Sequence, residues 1–206
     1  MSDSSNNIRV FRGITGLEQL RTSWNSLAKR VPDKRFFHLY EWHHCYLNAL
    51  EEDESRVYYL AYFFGDQVEA IFPLALRFRS FCGVSFSILE TFNHPHVPLN
   101  DILCVKSDGS PDYLHKFTQF LRCQREIKWD AINLSKILQD SRVYSFLRTG
   151  PRQLCIINTA GLNDYIPLDG YEVFLQKISK NFRDSLRKAR NKLNSYSTGA
   201  KNELAF

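Results

Sequence analysis

No two of the nine glycines in this 206-residue chain are separated by a single residue. That absence removes the G-x-G-x-x-G turn of dinucleotide sites, and the P-loop pattern G-x-x-x-x-G-K-[ST] is missing as well. A serine-nucleophile elbow, G-x-S-x-G, is absent because Gly83-Val84-Ser85-Phe86-Ser87 lacks its second glycine. The H-E-x-x-H pair of zinc hydrolases does not occur. Five cysteines, Cys45, Cys82, Cys104, Cys123 and Cys155, are odd in number and show no C-x-x-C spacing. They argue against a disulfide framework and predict buried, reduced thiols. The longest uninterrupted apolar run, Val57–Phe64, is far short of the about 20 residues needed to span a bilayer. The opening MSDSSNNIRV has no basic stretch followed by an apolar one, so no secretory signal is read and a cytoplasmic location is expected. Low-complexity segments and internal repeats are likewise missing.

What the chain does have is apolar mass and one concentrated charge. At 44% apolar composition, with 16 Phe, 10 Tyr and 3 Trp, it can build a core of its own. The formal net charge of +5 lies in residues 171–193, where Lys177, Lys180, Arg183, Arg187, Lys188, Arg190 and Lys192 face only Glu172 and Asp184. The remainder sums to zero. The basicity is therefore a property of one predicted helix.

Periodicity supplies the elements. Ile8–Arg12 reads as a strand, and Thr15 with Glu18 as a capping box ahead of a helix whose Leu17, Leu20, Trp24, Leu27 and Val31 share one face. Pro32 ends it. A second helix is predicted over 40–50 with Trp42, Cys45, Tyr46, Ala49 and Leu50 inward and His43-His44 on the surface. Val57–Phe64 and 68–76 form a hairpin around Gly65-Asp66-Gln67, with Pro73 at a sheet edge or bulge because it lacks an amide donor. A strand pair over 78–92 turns near Cys82-Gly83, and residues 93–101, with two prolines, form a loop. Then follow a strand at 102–105, a helix opening at Ser110-Pro111-Asp112 that buries Leu114, Phe117 and Leu121, a strand at 130–134, a short helix at 141–148, and strands at 154–158 and 165–168. Last comes the basic helix. Its Leu175, Ile178, Phe182, Leu186, Ala189 and Leu193 form a continuous apolar stripe that should pack firmly. Residues 196–201 read as a turn and 203–206 as the start of a strand. A hairpin inside interleaved helices and strands predicts an α/β, mixed α+β, fold with a mixed twisted sheet flanked by helices.

Two groups of residues are candidate sites. The polar loop containing Asn93, His94 and Asp101 lies between strands, where substrate contacts are common. His94 and His96 with Asp101 could ligate a metal, but zinc requires three or four ligands and nothing else clusters with them, so no metal is expected. On the basic helix, Lys180, Arg183, Arg187 and Arg190 line one stripe that would attract phosphate or another anion. A solvated helix face with Asp184 paired to Lys180 and Lys188 is the plainer alternative. Charge balance elsewhere, and the lack of a recognised binding module, argue against nucleic-acid binding.

Several segments together resemble the N-terminal part of the CelD-like (cellulose-biosynthesis-type) acyltransferases of the GNAT superfamily, relatives of the Fem peptidyltransferases. They are Trp24-Asn25-Ser26-Leu27, Phe36-Phe37-His38-Leu39-Tyr40-Glu41-Trp42, Ala70-Ile71-Phe72-Pro73-Leu74, Asn100-Asp101-Ile102-Leu103 and Ile178-Ser179-Lys180-Asn181-Phe182-Arg183-Asp184-Ser185-Leu186-Arg187-Lys188-Ala189-Arg190. The last is similar to that family's helix of the form L-S-K-x-x-R-x-x-L-R-R-A-R. The resemblance implies a GNAT-like, mostly antiparallel mixed sheet, an N-terminal domain over 1–170, and a linking basic helix with the start of a second GNAT-like domain over 171–206. It further implies N-acyl transfer from acyl-CoA or a related activated donor to an amine on a small-molecule or cell-envelope, polysaccharide-related acceptor. Lys180, Arg183 and Arg187 would then bind an anionic part of donor or acceptor, and the loop with Asn93, His94 and Asp101 would border the acceptor cleft. The [QR]-x-x-G-x-[GA] loop that holds acyl-CoA pyrophosphate in such proteins is absent from the sequence, so the chain is expected to be an N-terminal portion only, without assignable catalytic residues. The competing expectation is a non-enzymatic basic-helix module for a phosphorylated ligand, nucleic acid or partner protein.

Overall fold

Strand β2, Val57–Phe64, is buried along nearly its whole length, and it explains the architecture. Val57, Tyr59, Ala61 and Phe63 point to one side, into a core shared with Leu17, Leu20, Trp24 and Leu27. Tyr58, Leu60 and Tyr62 point to the other, into a core shared with Leu114, Phe117 and Leu121. A strand covered on both faces reads as a continuous apolar run, which is how it stands in the sequence. The computed structural model describes residues 7–51, 53–95, 97, 99–105, 112–149, 156–159 and 171–200.

In chain order the elements are β1 Ile8–Arg12, α1 Gly13–Arg30, α2 Tyr40–Ala49, β2, β3 Gln67–Phe81, β4 Val84–Glu90, β5 Leu103–Cys104, α3 Tyr113–Cys123, β6 Ala131–Asn133, α4 Arg142–Thr149, α5 Tyr171–Lys177 and α6 Lys180–Ala200. The sheet runs β1-β2-β3-β4-β6, antiparallel except for the parallel pair β4 and β6, and β5 adds to β3. Helices α1 and α2 cover one face, α3 and α4 the other. This is the expected mixed α+β sheet flanked by helices. Contacts divide the chain into two compact units, Met1–Thr159 and Ala160–Phe206.

Local chemistry accounts for several boundaries. Helix α1 begins at Gly13, two residues before the expected capping box, because a carboxylate from elsewhere does the capping: Glu54 accepts a hydrogen bond from the Ile14 amide. Gly13 has φ of +61°, where a side chain would be strained, and an added Cβ would come within 3.0 Å of that carboxylate. Asp112 caps α3 by accepting from the His115 amide at 3.1 Å. The β3–β4 turn places Cys82 and Gly83 at φ of 50° and 79°. The two strand runs at 68–76 and 78–92 are divided differently than expected, since β3 is one 15-residue strand that turns only at Cys82-Gly83.

Several readings need correction. Helix α2 is rotated: it buries Tyr40, His43, Tyr46 and Leu47, while Cys45 and Ala49 face outward. Both patterns fit a 3.6-residue period, and packing on the sheet selects the face with Tyr40, His43, Tyr46 and Leu47 while Trp42 is half-buried. Of the described thiols, Cys45, Cys82 and Cys123 are exposed and only Cys104 is buried. The basic helix is two helices, broken at Ile178-Ser179, where the Ser179 hydroxyl accepts from the Phe182 amide at 3.3 Å and starts α6. Helix α6 continues to Ala200, through residues expected to turn, and Phe182 is 51% exposed rather than firmly packed. Residues 156–158 lack strand pairing, and the strands expected at 165–168 and 203–206 lie outside the described residues.

Candidate functional site

The outer edge of β3 is paired twice and interrupted once. Residues from Ala75 to Phe81 pair with β4, and Ala70 and Ile71 pair with β5. Between them Phe72, Pro73 and Leu74 have no ladder partner on that side among the described residues. Pro73 has no amide to offer there, so the break loses little hydrogen bonding. The chain leaves the sheet after Glu90 and returns in line at Leu103, and the residues between form a loop directly over the gap.

That loop is held by side chains. The Asn100 amide group donates to the Phe92 carbonyl at 2.9 Å and to the Ser135 carbonyl at 3.2 Å, while its backbone amide donates to Lys136 at 3.0 Å. Thr91 donates through its hydroxyl to the Ser135 carbonyl and accepts from the Ser135 amide at 3.0 Å. Lys136, itself at φ of 57°, donates through Nζ to the carbonyls of His94 and Val97 at 2.6 and 2.7 Å. Buried backbone polar groups of an irregular segment need such partners.

Beside the loop is a cavity of about 280 Å³. Asp33, Arg35 and His38 reach it from the α1–α2 connection, Asn100 and Asp101 from the loop, and Asp140 with Ser141 from the approach to α4. A smaller cleft lined by His43, Pro73 and Thr91 shares Phe37, Asn100 and Asp101 with it. Both belong to the first unit. The walls therefore combine carboxylates, one guanidinium and an apolar floor, a set suited to a small polar molecule carrying charge of either sign.

Two buried histidines form part of these walls. His38 accepts at Nδ1 from the Arg35 amide at 3.1 Å, and its Nε2 has no partner. Burial, reinforced by the Arg35 charge, lowers it to about 4. His43 packs against Trp24, Tyr59 and Phe92, hydrogen-bonds the Phe37 carbonyl, and leaves Nδ1 without a partner. Burial, with the nearby His38, lowers it to about 3. Both rings are neutral at pH 7. Tyr59, with its hydroxyl also lacking a partner, is raised well above its usual value by burial.

Of the loop residues expected at a site, Asp101 lines both cavities and its carboxylate also accepts from the Ile102 amide at 2.8 Å. Asn93 is exposed and His94 half-buried, and neither lines the cavity. His96 lies outside the described residues. Among the described residues no group of three or more His, Cys, Asp or Glu is arranged to hold a metal. Lys180, Arg183 and Arg187 are exposed on α6 in the second unit. Arg183 donates to the Leu175 carbonyl at 3.1 Å, joining α6 to α5. Asp184 pairs with Arg187 at 3.5 Å, one turn on, rather than with the lysines four residues away. Asp33, Arg35, His38, His43 and Asp140 carried no sequence signal of a site. Only Phe36-Phe37-His38, noted for its likeness to other chains, came near.

No family model matches the chain. No curated protein matches it either. Among solved structures it is similar to one described as a possible acetyltransferase from Clostridium difficile 630, at 14% identity and a TM-score of 0.40, covering 76% of this chain and 97% of that one. It is also similar to an aminoglycoside acetyltransferase from an uncultured soil metagenomic sample, in complex with sisomicin, at 12% identity and a TM-score of 0.42, covering 78% of this chain and 100% of that one. Among the described residues no helix is long and apolar enough to cross a membrane.

Proposed function

We propose that this chain serves a GNAT-type N-acyltransferase of the CelD-like kind, moving an acyl group from acyl-CoA or a related activated donor to an amine. The observation that carries the reading is the interrupted edge of β3, with a cleft at Pro73 beside the break and a polar cavity that shares Phe37, Asn100 and Asp101 with that cleft. Its support from sequence is the ordered set of segments from Trp24 to Arg190 that resemble that family. The reaction is attack of a neutral amine on the acyl carbonyl, release of the donor's thiolate, and loss of the extra amine proton to solvent or thiolate. Positioning and amides that polarise the carbonyl supply most of the acceleration in such chemistry.

In this reading Asp101, with Asp33 and Asp140, attracts the acceptor as an ammonium, and Asn93 and His94 border its path. Neutral His38 and His43 shape the pocket without adding positive charge that would repel it. Lys180, Arg183 and Arg187 bind an anionic part of donor or acceptor. The residues here do not include the [QR]-x-x-G-x-[GA] loop expected to cradle acyl-CoA pyrophosphate, so no step is assigned to that group. The acceptor is taken to be a small or cell-envelope-related amine.

The test is release of free thiol from acetyl-CoA by the full-length protein across a panel of primary amines. Amine-dependent release supports the reading. Release that no amine stimulates overturns it.

A further inference from the structure

We propose that α6 is a docking helix for an anionic lipid surface. The helix Lys180–Ala200 has 21 residues, about 31 Å of length. At about 100° per residue, Phe182, Leu186 and Ala189 fall in one narrow arc. Arg183 and Arg190 border that arc on one side, and Lys188 and Lys192 lie toward the other. Phe182 is 51% exposed, Leu186 half-buried and Ala189 exposed, and all four bordering cations are exposed. The acidic residue of α6, Asp184, sits on the opposite side, where it pairs with Arg187. The apolar arc is thus ringed by positive charge, and the carboxylate that would repel an anion is turned away and neutralised.

This arrangement fits a lipid interface better than other polyanions. An apolar arc settles at the boundary between headgroups and acyl chains while long cationic side chains at its borders extend to lipid phosphates. Each cation near such a surface adds attraction that salt weakens. A duplex nucleic acid rewards the cations alike but gains nothing from an exposed Phe beside a Leu. Phe182, Leu186 and Ala189, part of the apolar stripe that the sequence suggested would pack firmly, form the contact surface for the bilayer. Arg183 is shared with the acyl-transfer reading, but none of the residues varied below is assigned to substrate there, so the two can fail separately.

The test is co-sedimentation of the full chain with vesicles of phosphatidylcholine, alone or with about 30% phosphatidylglycerol, in about 0.1 M NaCl. The expected result is pelleting with the anionic vesicles and binding at least about tenfold weaker to the neutral ones. The triple variant Lys188→Glu, Arg190→Glu, Lys192→Glu should lose about tenfold or more on anionic vesicles. Phe182→Ser should lose about tenfold with all charges intact. Both variants alter exposed positions, and circular dichroism should show unchanged helix content. Equal binding to both vesicle types, absence of pelleting, or a Phe182→Ser protein that binds anionic vesicles as wild type does would each overturn the proposal. In the last case, undiminished binding of that variant to a DNA duplex would assign the cations to nucleic acid.

Discussion

Arg77 on β3 closes a two-pronged hydrogen bond on the Glu51 carboxylate, at 2.7 and 2.5 Å, just beyond the end of α2. The Glu51 side chain is 1% exposed, so its charge depends on this partner. Burial works against its ionisation, but the hydrogen bonds and charge of Arg77 outweigh it, aided by the Asp53 amide and the Tyr46 hydroxyl, and hold the carboxyl below its usual range. Tyr46 in turn stacks flat on Phe92 at 4.3 Å, the residue whose carbonyl receives Asn100. One ion pair thus ties α2 to β3 and to the base of the site loop.

Arg77→Ala is therefore expected to destabilise the fold by about 2–4 kcal/mol, somewhat below the cost of stranding a fully buried charge because Arg77 is itself partly exposed. Arg77→Leu combined with Glu51→Leu should cost less than Arg77→Ala alone, because Glu51 is then not stranded as a buried charge, while buried Glu90, which Arg77 approaches at 3.6 Å, keeps Arg79 at 3.7 Å in both proteins. Urea denaturation of the three proteins checks the order. A double variant less stable than the single one would mean that the pair contributes net attraction beyond its desolvation.

Acid should unfold the protein through its buried histidines. His38 and His43 have folded pKa values of about 4 and 3, below the usual 6.5, so the unfolded chain binds more protons between those values. Stability is full above about pH 6.5 and falls as pH drops, by about 2 kcal/mol per histidine at pH 5. Glu51, also depressed, adds loss in the same direction at lower pH. Thermal midpoints for wild type and His43→Phe between pH 7 and pH 5 test this. The variant should show a shallower decline, and an identical slope would show that His43 does not set it.

Gly16→Ala should destabilise, although alanine is ordinarily the better helix former by about 1 kcal/mol. An added Cβ would come within 2.7 Å of the Phe11 carbonyl carbon, which is backbone and cannot rotate aside. Helix α1 would have to move off β1, at a cost of about 1–3 kcal/mol. At Gly65 and Gly83 nothing lies within 4 Å, so the penalty there would come from positive φ alone. Comparing the three alanine variants by thermal melting separates crowding from backbone strain.

Substrate handling should divide between the two units. Asp101→Ala with His94→Ala should raise the acceptor KM by about tenfold while leaving the donor KM alone, as loss of one charge-assisted contact implies. Arg183→Ala with Arg187→Ala should raise the KM of whichever substrate carries the anion. Unaltered acceptor kinetics in the first pair would remove Asp101 from the site, and unchanged KM and kcat in the second would remove the α6 cations. Asp101→Asn retains the acceptor for the Ile102 amide, so recovery of stability without recovery of KM would separate fold from binding.

The legible parts of the sequence were those where one periodicity had one reading. Leu17, Leu20, Trp24 and Leu27 can share a face only in a helix, and all are buried. Gly65 and the residues after it mark the β2–β3 hairpin, and Pro73 foretold a defect in pairing that proves to be the interrupted edge. In α2 two apolar faces competed and the sheet chose between them, so His43 was misplaced. The break at Ser179 was hidden because Leu175, Ile178 and Phe182 keep helical spacing across it, and only the serine's capping ability marked the boundary. Most of the cavity was invisible for a different reason. Asp33, Arg35, His38, Asp101 and Asp140 come from three connections far apart in the chain, and no local pattern records that convergence.

The collinear placement of β4 and β5 has a last consequence. Both are registered on one continuous strand, at Ala75 and Ile71 of β3, which fixes their ends about 13 Å apart along it at the usual rise per residue. The segment between these anchors is therefore a cassette. Its exposed positions, such as Asn93, can change without shifting either strand register, whereas Phe92, Val97 and Ile102 are tied to the two cores and hold the segment to the sheet.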